Sequence, residues 1–420
     1  LTPWWRSFND AQLTALVTQA LQANTDVLSA QAALRQAQAL HQVKLAALQP
    51  SLNVSAAAQR SKSGSAATSN SFSTGLDAAW EPDVYGGNHS AAAATAADAQ
   101  AAGASLSQVQ VTLAATVAQG YIELRGLQAR LSIARHNLDT QTETLQITRW
   151  RAQAGLVSEL DVAQATTAAE QTQAQIPALE TSLAQAEHSL AVLTGQAPSA
   201  LHGTLAPPAP LPQVPGDMTT APNLHVPAQL LRQRADVRAA EYRISAALAR
   251  VAVADAALLP SFSISGSLGL RALTLSGLTG GGSAANALLA SVSLPLWDGG
   301  AARAQVQAQT AALDAARISY QAATLAALKD VEDALVTLHG LHTQLARLQA
   351  AADAAAMAEQ LARQRYSSGL IDFATVLSTQ RTLLSTQDSV ASSQASLSAA
   401  QVRLYQALGG GWQPDAVHPS

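Results

Sequence analysis

"RWRAQAGLVSELDV" runs from Arg149 to Val162, and "RQRYSSGLIDFATV" from Arg363 to Val376. Aligned on Gly155 and Gly369, the two copies stand 214 residues apart in a chain of 420. The likeness extends outward from both. "TDVLSAQAAL" (Thr25–Leu34) parallels "ADVRAAEYRI" (Ala235–Ile244), "LQPSLNVS" parallels "LLPSFSIS" around Pro50 and Pro260, and "LAVLTG" ending at Gly195 parallels "LYQALG" ending at Gly409. The chain is therefore an internal duplication. One repeat covers residues 1–205 and the other 228–408, with a tail at 409–420. The proline-rich stretch at 206–227 rules out helix and reads as an extended connector.

Each repeat reads helix, strand, loop, strand, long helix, tight turn, shorter helix. No proline interrupts Ala91–Ala154 or Ala301–Ser368, so each long helix would reach roughly 100 Å. In the second copy Leu328, Val331, Leu335, Leu338, His342 and Leu345 step by three and four. Ala114, Val117, Tyr121, Leu124, Gln128 and Leu131 hold the same phase in the first. A helix of that length buries its seam only along other long helices. At the repeated turn, Gly155 and Gly369 suit the left-handed position that ends a helix. Ser158 with Asp161 forms a capping-box pattern, and Asp372 is the matching N-cap. Leu156 and Val157, or Leu370 and Ile371, are then displayed at the tips, a feature that asks for a docking partner.

The strands are expected around 51–60, 71–81, 261–270 and 287–297. They alternate apolar residues with serines over about ten residues, the length of a tilted membrane-spanning strand. Trp80 and Trp297 each close the second strand of a pair, where an interfacial aromatic would anchor. Four strands cannot close a barrel, and an open edge cannot face lipid, so a membrane reading requires several copies. The competing reading is a soluble coiled-coil scaffold whose small sheets cap the bundle.

Composition narrows the field further. Of the residues 48% are hydrophobic, 12% charged and 4% aromatic, with net charge −4. No basic cluster offers a footing for nucleic acid. No apolar run is long enough for a transmembrane helix, and Leu1 does not open a leader peptide. Cysteine is absent. No nucleophile elbow, phosphate loop or two-histidine metal helix is present, so neither an enzyme nor a cofactor or metal protein is expected. His339 and His342 read as solvated or seam residues. "DVED" at Asp330–Asp333 reads as a solvated face, with a pore-lining acidic patch as the alternative.

Taken together, "LLRQRADVRAAE" (Leu230–Glu241), "LPLWDGG" (Leu294–Gly300), "WEPDVYGG" (Trp80–Gly87), "GLVSELDVAQA" (Gly155–Ala165) and "RYSSGLIDFATVLSTQRTL" (Arg365–Leu383) carry a resemblance. The chain resembles the TolC-type outer membrane factors, in their NodT-like branch, over nearly its whole length; Ala235 stands where that family usually has proline. The resemblance implies a mainly α protein with membrane β: a homotrimeric, twelve-stranded β-barrel in the outer membrane of a Gram-negative bacterium, continued by a long α-helical periplasmic barrel. It implies the exit duct of a tripartite efflux pump, with a type I secretion duct as the related alternative. The partners implied are a periplasmic adaptor and an inner-membrane pump of RND type. Adaptor contacts map to the tips, Gly155, Leu156, Val157, Gly369, Leu370 and Ile371. The periplasmic gate maps to Asp161 and Tyr366, as a latch, and to Ala374, Thr375 and Ser378, as the constriction. Relatives place acidic or larger apolar residues at the constricting positions, so a gate weaker in cation selectivity is implied here. Lipidated members carry an acylated N-terminal cysteine; an anchor upstream, removed or never present are the open alternatives.

Overall fold

In a computed structural model of the chain, residues 3–64, 67–214 and 233–410 are described. The elements follow one another in a similar order in the two halves of the chain. The first copy holds α1 (Ala11–Ala23), α2 (Thr25–Ala46), β1 (Ser51–Ser61), β2 (Ser69–Trp80), α3 (Gly87–Gln153), α4 (Glu159–Leu193) and a single turn, α5 (His202–Leu205). The second holds α6 (Ala235–Ala256), β3 (Ser261–Ala272), β4 (Ala284–Ser293), α7 (Ala301–Ser367) and α8 (Phe373–Ala407). Both long helices have 67 residues and both shorter partners 35. Residues 206–214 of the connector carry no helix beyond α5 and no strand, and 215–227 lie outside the described residues.

Two compact units divide the chain, and they cut across the repeats. The first comprises Leu1–Ala30, Leu106–Ala235 and Thr324–Ser420. Its core gathers Leu13, Leu16 and Val17 of α1, Leu113, Val117, Tyr121, Ile122 and Leu124 of α3, Leu190 of α4, Leu205 of α5, and Val402 and Tyr405 of α8. Removing a side chain of this size from water stabilises by about 1.5–3 kcal/mol. A cluster that periodicity did not reveal completes the core: Trp4, Trp5 and Phe8 form a buried 3₁₀ turn, and Trp4 stacks on Tyr405 at 5.3 Å. Asp10 caps α1 by accepting from Leu13 N–H at 2.8 Å and also accepts from the buried Tyr121 hydroxyl at 3.0 Å.

The seam expectation holds in α3, where all six positions from Ala114 to Leu131 are buried. It fails in part for α7. There Ala327, Val331, Ala334 and Leu338 are buried, whereas Leu328 and His342 are exposed. The cause is unequal company: α1, α4 and α5 pack around α3. Arg125 shows the difference most clearly. It is 2% exposed and donates to Gln12 Oε1 (2.5 Å), Gln128 Oε1 (2.6 Å) and the Pro207 carbonyl (2.8 Å), so α3 pins both α1 and the start of the connector. Arg130 with Asp388 (2.7 Å) and Arg135 with Glu180 (2.7 Å) tie α3 to α8 and α4. Gly195, at φ +73°, closes α4 where the Ala23 carbonyl approaches so near that a Cβ would sit 2.6 Å from its oxygen.

The second unit comprises Gln31–Ser105 and Asp236–Ala323. Its helices are linked by Arg250 to Asp98 (2.5 Å) and by the His41 ring to the Ala92 carbonyl (3.1 Å). Its sheet is an antiparallel meander in the order β1-β2-β3-β4, so β1 and β4 each present one unpaired edge. The fourth strand ends at Ser293, not at 297 as expected, because Pro295 has no N–H to continue the ladder.

Candidate functional site: the hairpin ends and the two-faced sheet

The two hairpins are built alike. Gly155 (φ +70°) donates to the Ala152 carbonyl and Leu156 to that of Arg151, at 2.9 and 2.8 Å. Gly369 (φ +72°) and Leu370 repeat both bonds to Tyr366 and Arg365. This pairing satisfies the last helical carbonyls and needs a left-handed residue, hence glycine. The next helix starts at once. Ser158 and Asp161 form a full capping box, and Asp372 accepts from Thr375 N–H at 3.0 Å and from the Thr375 hydroxyl. The Thr375 hydroxyl, then its N–H, hold the Asp372 carboxyl below the usual carboxylate range. Leu156 and Leu370 are 74% and 73% exposed, while Val157 and Ile371 are half-buried.

Behind the tips lies a small core of Leu145, Ala165, Ala168, Ala169, Phe373 and Leu377. Tyr366 packs against it, its ring 5.5 Å from that of Phe373, with the Arg151 guanidinium 4.6 Å from the ring centroid. The Tyr366 hydroxyl is enclosed and has no hydrogen-bond partner among the described residues. Within one chain, then, Tyr366 meets Arg151 and Phe373, and its hydroxyl makes no hydrogen bond to Asp161. The Asp161 carboxylate accepts from Ser158 N–H (2.9 Å) and Oγ (2.8 Å), both through Oδ2. Ala374, Thr375 and Ser378 form one exposed, uncharged stripe on the first turns of α8. A cleft of about 640 Å³ adjoins Tyr366, lined among others by Glu143, Arg151, Glu359 and Arg363. Arg363 donates to Glu359 at 2.6 Å. Their i, i+4 spacing was a signal available in the sequence. The "DVED" carboxylates are largely paired: Asp330 accepts from Arg234 (3.0 Å) and Asp333 from Lys329 (2.5 Å).

The sheet separates two chemistries. Its register places Val54, Leu76, Leu268 and Asn286 in one row, with Leu52, Phe72, Ile264 and Leu288 on the same face. The opposite face is mostly serine, glycine, asparagine and alanine. Along the apolar face Val54 is 79% exposed and Leu288 82%. At the helix-proximal end Trp80 donates its Nε1–H to the Leu48 carbonyl at 3.2 Å, and Tyr85 lies 6.2 Å from Phe262. Trp297 does not close β4; it lies four residues beyond the strand and is almost wholly exposed. A matched pair of aspartates starts the long helices. Asp83 accepts from Asn88 and His89 N–H, and Asp298 from Gly300 and Ala302 N–H. Partial burial pushes the Asp83 carboxyl up, but the bonds from His89 and Asn88 outweigh it and leave it low. The Ala302 and Gly300 N–H groups hold Asp298 low as well.

Comparison with known proteins agrees with this architecture. A family described as outer membrane efflux protein matches residues 16–196 and 226–410, one stretch on each repeat. The chain is 34% identical to the pyoverdine export outer membrane protein OpmQ of Pseudomonas aeruginosa, covering 98% of this chain and 88% of that protein. It is 31% identical to nodulation protein T of Rhizobium leguminosarum, covering 99% and 86%. Among solved structures, the outer-membrane channel OprN superposes with a TM-score of 0.92 at 35% identity, over 99% of this chain and 93% of that one. The two matched stretches take in well over half of the 420 residues, and the chain belongs to the outer membrane efflux protein family.

Proposed function

We propose that the chain is the exit duct of a tripartite efflux pump, a homotrimer whose three sheets close a twelve-stranded barrel in the outer membrane of a Gram-negative bacterium. The helices continue it as a periplasmic tunnel. It conducts cargo passively and catalyses no reaction. One observation carries the reading: a four-stranded sheet with one exposed apolar face and two unpaired edges. Such edges are untenable in lipid unless β1 of one copy pairs with β4 of the next. Because the chain has no cysteine, Ala56→Cys together with Leu288→Cys marks the two edges cleanly. A bifunctional maleimide should give a ladder that stops at three chains; a ladder stopping at two would refute the closure.

At the far end of the hairpins we assign Gly155, Leu156, Val157, Gly369, Leu370 and Ile371 to contact with a periplasmic adaptor, itself joined to an RND-type inner-membrane pump. Asp161, Tyr366, Ala374, Thr375 and Ser378 form the gate. Two features support this. The Tyr366 hydroxyl lacks a partner within the described chain, and the cap uses only Oδ2 of Asp161, leaving Oδ1 to accept from that hydroxyl in the closed assembly. Tyr366→Phe should then raise leak conductance in planar bilayers, and unchanged leak would remove the latch.

A further inference from the structure

The polar face of the sheet serves neither the lipid contact nor the gate. Its central row reads Asn53, Asp77, Ser267, Ala287 across the four strands. The row on one side is Ser55, Gly75, Gly269 and Ala285, and on the other Ser51, Ala79, Ser265 and Leu289. Of all strand residues on this face, Asp77 and Arg271 alone carry charge. They form no ion pair with one another among the described residues. Asp77 is paired with Ser267, and Arg271 lies four residues farther along β3, about 13 Å at the rise of a strand. Asp77 is exposed, has no ion pair among the described residues, and is held by the Ser55 hydroxyl, which donates to its Oδ2 at 2.6 Å.

We infer that Asp77 sets the charge preference of the pore: one carboxylate from each copy forms a ring on the barrel wall that favours cationic over anionic solutes. The inference rests on the trimeric-barrel reading, which turns the polar face toward the lumen. It acquires weight from the gate, where Ala374, Thr375 and Ser378 offer no carboxylate of their own. Rings of acidic side chains are what make pores prefer cations. In a wide lumen the effect must depend on salt: the screening length of about 10 Å at 0.1 M is shorter than the distance from Asp77 to Arg271, and at 1 M it falls to about 3 Å.

The test is the reversal potential of the full-length protein in planar bilayers under a KCl gradient, read at low and high mean salt. Near 0.1 M, Asp77→Asn should lower the cation-to-anion permeability ratio roughly two- to threefold, a change that disappears near 1 M. Arg271→Gln should move the ratio the other way. Asn keeps the acceptor for Ser55, so the variant retains the strand pairing. An unchanged ratio in a conducting Asp77→Asn trimer overturns the inference while leaving the duct intact. A parent protein that neither assembles as a trimer nor conducts overturns the duct reading, and the inference with it.

Discussion

Parity along β3 permits a sharp test of which side of the sheet meets lipid. Leu268 lies on the apolar face near the middle of the strand, is 62% exposed, and stands opposite Leu76 on β2 and Asn286 on β4. Ser265, three residues earlier, lies on the opposite face between Ala79 and Leu289. An arginine on the lipid face at the bilayer midplane costs about 2–4 kcal/mol, and less toward either interface. Leu268→Arg should therefore lose about 2–4 kcal/mol per copy, and roughly three times that per trimer. Ser265→Arg, projecting into water, should stay within about 0.5 kcal/mol of the parent. Denaturant titration of each variant refolded into phospholipid vesicles reads both values. If the two arginines have the same small effect, the sheet stands in water on both faces, and the soluble-scaffold reading returns.

Other consequences are equally concrete. Gly195→Ala combines a left-handed backbone with a Cβ 2.6 Å from a backbone oxygen and should cost about 3 kcal/mol or more, whereas Gly155→Ala, in open space, should cost about 1 kcal/mol; chemical denaturation in detergent ranks them. Arg125→Met leaves the Pro207 carbonyl unpaired and should destabilise by about 2–4 kcal/mol, with Arg125→Lys failing to rescue because one ammonium cannot span three acceptors. Faster proteolysis near 206–214 would report the loosened connector. Asp83 and Asp372 have depressed folded pKa values, so their stabilisation is present above the ordinary carboxylate pKa and is lost as pH falls through the lower folded value. Replacing both with Asn should lower stability at pH 7, where the ionised caps act, and flatten the acid limb below about pH 4, so that parent and variant converge at low pH.

How far the sequence reached depends on whether a constraint is local. The hairpins were legible because the left-handed turn demands glycine, and the cap demands Ser or Asp, at fixed offsets. The sheet was legible because alternation over ten residues encodes its two faces. Apolar alternation points the last strand on toward Trp297, but Pro295 withholds the N–H that the ladder needs, and the strand ends at Ser293. Leu328 and His342 share the phase of buried positions in α3 yet stay exposed, since burial is decided by what packs nearby. The role of Arg125 is not written locally either: its partners, Gln12 and Pro207, come from distant segments. Nor does periodicity detect Trp4, Trp5 and Phe8, which form one short turn. At the gate, the resemblance named Tyr366 and Asp161, and the chain by itself engages each with other neighbours.

Closure of the barrel by three copies underlies the duct, its lumen and its gate alike. The decisive measurement is the mass of the purified particle in detergent, corrected for bound detergent. Three times the 43.2 kDa chain is the predicted result, with aggregation when detergent is withdrawn. A monomer or dimer that stays monodisperse without detergent would contradict it.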